Sequence, residues 1–310
     1  MCCFAQPVLS VTDTQIFARL LGDGVQGLVY QMNFESQNPN AMILPLPVAA
    51  EAGDEAVEFV SLKGYERFFS DMASGFPKRP SRSKSLFSRA LPSGAIDSKI
   101  AVQIVGDFVA SFVPTVNDFH RLDPQFVIPR ESWEKIPGYN DYGFAVFQLQ
   151  EKSGKPHPMA MKFQTRFQDQ VFFPTVHIHD GEVHDREEFD HTLYLQAPAY
   201  DSVVDDYEDS NYIDHSTGMV RSKRPASSFC KTDRTKGIVD GEHLIHKVEM
   251  HGVLKNRDVI RSTTPPVRSA GVMPRPWPKT LGSAAPFAAA AGGLGWYFSR
   301  RSRLIAERKQ

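Results

Sequence analysis

Short apolar runs punctuated by proline limit what this chain can fold into. The 310 residues carry 22 prolines and 22 phenylalanines, and many of the prolines sit beside apolar stretches too short for a packed helix. Proline removes a backbone donor and is tolerated at strand ends, edges and turns, so this punctuation favours short strands with long connections over a helical bundle. Leu28, Tyr30, Met32 and Phe34 alternate with Val29, Gln31 and Asn33, the period of a half-buried strand. Glu58–Leu62, Ile100–Val113, Met159–Gln164 and Thr192–Gln196 also read as strands, and Phe144–Leu149, apolar almost throughout, reads as a central one. Ala41–Val48 is apolar but holds two prolines, which predicts an edge strand or an extended run. Tyr65, Phe68, Phe69 and Met72 fall at i, i+3, i+4 and i+7, the stripe of an amphipathic helix laid on a sheet. Val116–Leu122 and Pro129–Ile136 read as short helices, the second opening with proline in its first turn. The expected fold is mainly β (α+β): a sandwich of stacked sheets, a few short helices and a polar C-terminal region.

A hydrophobic share of 41 % supports a folded core, and a net charge of −1 supplies no basic field for a nucleic-acid partner. The expected organisation is a β-rich body over 1–200, a polar extension over 201–262 that is part of the same domain or separate from it, a Pro-rich linker over 263–280, and an apolar small-residue helix with a basic tail over 281–310. Within the body, 77–94 is basic, Ser-rich and poor in apolar residues, the composition of a flexible surface loop. The acidic run Asp201–Asp214 reads as a solvated loop, because it lacks the ligand spacing and central glycine of an EF-hand. Leu281–Phe298 is uncharged, is followed by Arg300 and Arg301, and is just long enough to span a bilayer, so 281–301 is the candidate membrane contact. No signal-peptide pattern opens the chain, which reads as cytoplasmic as written and as envelope-associated if that anchor is real.

Metal-ligand chemistry concentrates in Phe172–Asp185. Asp180-Gly181 lies between two runs of alternating polarity, the signature of a two-residue hairpin. Such a turn sets His177 opposite His184 and His179 opposite Glu182. All four then share one face, with Val176, Ile178 and Val183 on the other. Cross-strand neighbours stand about 5 Å apart, close enough for His177, His179, Glu182 and His184 to converge on one zinc, iron or manganese ion. The bland alternative is a polar, solvated strand face. The spacing resembles the cupin metal motif only loosely and lacks the glycines that surround it.

Cys2, Cys3 and Cys230 form neither a disulfide framework nor a Cys-x-x-Cys site. Removal of Met1 would make Cys2 an N-terminal thiol of the amidohydrolase type, but no oxyanion-hole motif accompanies it.

Cys3–Val8, Ile16–Arg19, Ala41–Val48, Tyr139–Phe147 and Phe172–Gly181 together resemble an uncharacterised bacterial group, proteins of a domain of unknown function with a cysteine-rich start and a C-terminal anchor. The resemblance spans residues 1–200 and implies no activity and no site residue. Three functions follow as expectations: a non-enzymatic binding or envelope-associated protein, a metal-dependent enzyme at the histidine run, and an N-terminal-cysteine amidohydrolase.

Overall fold

The computed structural model describes residues 2–266 apart from 50–52, 54, 77–101, 106–107, 129, 135–137, 150–151, 205–212 and 215. The basic loop expected at 77–94, most of the Pro-rich linker and the C-terminal segment 281–310 lie outside the described residues. The described residues belong to one compact unit, Met1–Pro274. Among them no helix is long and apolar enough to cross a membrane.

The chain begins with β1 (Cys2–Phe4), β2 (Val8–Gly22), β3 (Val25–Ser36), β4 (Asn40–Leu46) and β5 (Val57–Ser61), followed by helix α1 (Phe68–Ser74). Strands β6 (Val102–Val105) and β7 (Phe108–Val113) precede a 3₁₀ turn at Val116–Arg121 and helix α2 (Arg130–Glu134). Next come β8 (Gly143–Leu149), β9 (Ser153–Gly154), β10 (Met159–Gln164), β11 (Gln170–Phe173), β12 (His177–Ile178) and β13 (Arg186–Leu195). The last strands are β14 (Val220–Arg221), β15 (His246–Lys255) and β16 (Val259–Ser262).

Two sheets carry the fold. The first runs β12-β1-β4-β8-β7-β6; the second runs β14-β15-β13-β2-β3-β10-β5, with β9 beside β3. Strands β11 and β16 form a separate antiparallel pair. Between the sheets lies the larger core, in which Ile16, Leu28 and Tyr30 from the second sheet share one cluster with Ile43, Phe112 and Phe147 from the first. Phe59 and Phe147 meet edge to face across it at 5.4 Å. The opposite face of the second sheet is covered as well. There Phe17, Val29 and Tyr194 pack with Phe68, Phe69 and Met72 of α1 and with Ile238 and Ile245. The predicted helix stripe is therefore the face that buries.

Two strand expectations are corrected. Strand β3 is not half-buried: Val29 and Gln31 are enclosed along with Leu28 and Tyr30, because sheet two is covered on both sides. Strand β4, despite Pro45, is interior, between β1 and β8. Its register with β1 is confined to Met42 and Ile43, whereas β8 runs beside it from Asn40 to Leu46. Pro45 thus lies beyond the reach of β1 and meets a partner strand on one side only, where a missing donor costs little. The region 201–262 is no appendage, since it supplies β14, β15 and β16, and β15 pairs with β13 over ten residues.

Candidate functional site

The Asp180-Gly181 hairpin does not form. Strand β12 pairs in parallel with β1, Cys2 beside His177 and Cys3 beside Ile178. The residues after it bend away, and Arg186 starts β13, which lies in the other sheet between β15 and β2. The turn is local instead. The Asp180 carboxylate accepts from the Glu182 amide at 2.9 Å and engages His184 Nε2 at 3.0 Å, while Gly181 takes the left-handed backbone (φ 87°). An aspartate bonding the backbone two residues on is an Asx-turn, which competes directly with a hairpin at Asp-Gly.

This rearrangement divides the four predicted ligands. Glu182 and His184 are exposed, and His184 is held by Asp180, whose hydrogen bond raises the imidazole's pKa and lowers its own. His177 faces inward and is 2 % exposed. His179 follows it, its ring stacked on His177 with centroids 4.7 Å apart. The residue that completes the cluster is His191 of β13, buried at 2 % exposure. Its Nε2 lies 3.1 Å from Nε2 of His177. Since β12 belongs to the first sheet and β13 to the second, this hydrogen bond joins the two sheets.

The surroundings are apolar and aromatic. Phe189 stacks on His177 at 4.4 Å, and Phe4 meets His179 edge-on at 6.2 Å. Burial holds the imidazoles neutral: it is the largest influence lowering His177 to about 2 and His179 to about 4. His191 is lowered far below its usual range, again by burial first. In the His177–His191 pair one ring donates from Nε2 and the other accepts. One Nδ1 then carries a proton and the other a lone pair, yet both Nδ1 atoms are buried without a partner, as is Nε2 of His179. A metal ion on the two Nε2 atoms would turn both Nδ1 atoms into donors, and metal-bound imidazoles normally spend that proton on an acceptor. Among the described residues, no three His, Cys, Asp or Glu side chains are grouped to hold a metal ion.

Polar side chains fix the path of β12. Asn256 Oδ1 accepts from the His177 amide at 2.7 Å, and its Nδ2 donates to the carbonyls of His177 and His184 at 2.9 and 3.0 Å. The half-buried Asp258 accepts from the Thr175 and Val176 amides at 2.7 and 3.0 Å and from the Tyr139 hydroxyl. Neither residue stands out in sequence. His191 does carry a readable signal, because Phe189, His191 and Leu193 share the inward face of β13 at period two.

Elsewhere, His243 and His246 meet at Asp201. Its carboxylate reaches His246 Nε2 at 3.0 Å and His243 Nδ1 at 3.4 Å. Cys3 and Cys230 are buried and stand in no disulfide among the described residues, and burial raises Cys230 to about 12. The backbone of Cys2 is in β1; its thiol lies outside the described side chains.

No family model and no curated protein matches the chain. Among solved structures it is similar to a crystal structure of baculovirus p35, at 13 % identity and a TM-score of 0.44 over 83 % of this chain and 99 % of that one. It is also similar to the caspase-8/p35 complex, at 13 % identity and 0.43 over 81 % and 96 %.

Proposed function

We propose that this chain is a non-enzymatic binding protein that meets a protein partner along the outer edge of the first sheet. Ile104 carries the reading. It sits in β6, the terminal strand of that sheet, and is 84 % exposed, the most exposed large hydrophobic side chain among the described residues. A terminal strand offers unpaired backbone groups to an added strand, and an apolar side chain on it supplies contact area. His177 and His191, by contrast, are buried where the two sheets meet.

The test places a photoreactive group on Ile104→Cys, with Lys255→Cys as an exposed control, and compares capture by the full chain. A protein cross-linked at 104 above the control is expected; equal capture at both positions contradicts the edge reading. Caspase-8, the partner of p35 in the solved complex, enters as one purified probe. Elemental analysis accompanies it. About one equivalent of zinc, iron or manganese in wild type and none in His177→Ala would replace this reading with that of a metal-dependent enzyme.

A further inference from the structure

We propose that residues 220–236, on the outer side of the second sheet, form a docking surface separate from the β6 edge and built for an acidic protein segment rich in Asp and Glu. The stretch carries six cations, Arg221, Lys223, Arg224, Lys231, Arg234 and Lys236, against one carboxylate, Asp233. That is a net +5 within a chain whose net charge is −1. Every one of these cations except Arg221 is exposed. Charge of one sign gathered on one short stretch makes a local field that an oppositely charged partner meets on approach.

The fold holds these charges in place. Ala226 and Cys230, with Ile238 and Val239 just beyond, are buried in the cluster on the outer face of the second sheet, and 3₁₀ turns at Ala226–Ser228 and Thr232–Thr235 carry the chain between them. The Cys230 amide donates to the Ala226 carbonyl at 2.7 Å, the Lys231 amide to the Tyr65 hydroxyl at 2.8 Å, and Arg234 Nη1 to the Gly64 carbonyl at 3.0 Å. A surface tied down in this way loses little backbone freedom on binding. Elsewhere the fold matches cations to acids, Arg19 to Asp240 at 3.0 Å, Lys155 to Asp13 at 2.7 Å and Lys162 to Glu58 at 3.4 Å. Among the described residues Arg224, Lys231, Arg234 and Lys236 stand in no ion pair. The carboxylates on the α1 side are already engaged, Glu66 by the Gly64 amide at 2.8 Å and Asp71 by Arg67 at 3.2 Å.

The surroundings favour a peptide over other anions. Tyr65, Phe68, Phe69 and Phe76 are buried and the Phe229 ring lies against Gly75, so no aromatic platform is open for stacking bases. The large hydrophobic side chains exposed among the described residues are Leu9, Ile104, Ile213, Val253 and Ile260. None belongs to the stretch, which therefore has nothing to insert into a lipid layer. Asp233, set among the cations, would repel a uniformly charged surface, whereas a peptide can place a neutral residue opposite it. The planar guanidiniums of Arg224 and Arg234 match carboxylate geometry.

The test titrates the full chain into a fluorescein-labelled peptide of alternating Glu and Ser, followed by fluorescence anisotropy at about 50 mM salt. Binding of this peptide, and none of its Gln-Ser counterpart, is expected. Arg224→Glu/Lys231→Glu turns two attractions into repulsions and should weaken binding at least about ten-fold. Neither side chain makes a hydrogen bond or ion pair among the described residues, so this variant should keep the wild-type far-UV circular dichroism. Lys152→Glu/Lys255→Glu makes the same change of net charge on exposed side chains outside the stretch and should alter binding less than about twofold. No binding of the Glu peptide, or equal losses in the two variants, overturns the proposal. So does tighter binding of phosphatidylserine vesicles or of duplex DNA that is lost in the same variant, which would give the surface to a membrane or to a nucleic acid.

Discussion

Asp258→Ala removes one acceptor from three donors at once. The amides of Thr175 and Val176, at 2.7 and 3.0 Å, and the Tyr139 hydroxyl all lose their partner, and these three residues are themselves buried. An orphaned buried donor costs about 1–3 kcal/mol. Allowing for partial relaxation, the loss should be about 3–5 kcal/mol, a large part of the roughly 5–15 kcal/mol typical of a domain. Asp258→Asn separates hydrogen bonding from charge. Its amide oxygen can still accept from the two backbone groups, and its NH₂ can donate to a rotated Tyr139 hydroxyl. The raised pKa of Asp258, set first by burial, means that enclosing the charge outweighs the hydrogen bonds holding it. Removing that charge should therefore leave the Asn variant within about 1 kcal/mol of wild type. Urea denaturation followed by far-UV circular dichroism at pH 7.5 measures both, compared at equal m-value. An Ala variant within about 1 kcal/mol of wild type, or an Asn variant as unstable as Ala, would refute the reasoning.

Phe147, fully buried where the two sheets meet, touches both Phe59 and Phe108; Phe147→Ala should cost about 3–5 kcal/mol in the same assay. A Cβ at Gly143 would stand 2.5 Å from the Phe112 ring, so Gly143→Ala should destabilise by about 1–3 kcal/mol, and a Phe112→Leu background should recover part of the loss. His184→Ala, at an exposed pair with Asp180, should change stability by less than about 0.5 kcal/mol, against at least about 2 kcal/mol for His177→Ala. Thermal melts of the two variants compare them directly.

Much of the fold was legible because its signals are local. Period two marked β3 and β10, the four-residue stripe Tyr65, Phe68, Phe69 and Met72 marked α1, and the continuous apolar run marked β8 as a central strand. The candidate site was misread where a distant strand overruled a local preference. Val176, His177, Ile178 and His179 alternate in polarity, and alternation implies one dry face only when the other meets water. Here β1 arrives from the start of the chain to pair with β12, and β13 brings His191 and Phe189 against its polar side, so both faces are dry. Asp180-Gly181 could not enforce a hairpin once its second strand was claimed by β2 and β15. Pro45 misled for a related reason, since proline forbids a central position only where a neighbour needs its missing donor. His177 and His179 were identified from sequence; that they partner His191, and not Glu182 and His184, depended on pairings across most of the chain.

The account's central claim is that His177 and His191 join the two sheets as neutral interior residues while His184 stays in solvent. Ring-proton NMR of the histidines, assigned by single substitutions, tests it directly between pH 8.0 and 5.5. His184 should titrate with a midpoint above the usual 6.5, raised by Asp180, while the resonances of His177 and His191 should not move through that range. A His177 that titrates near 6.5 beside His184 would instead describe the solvated strand face of a hairpin, and would contradict the structure's seam.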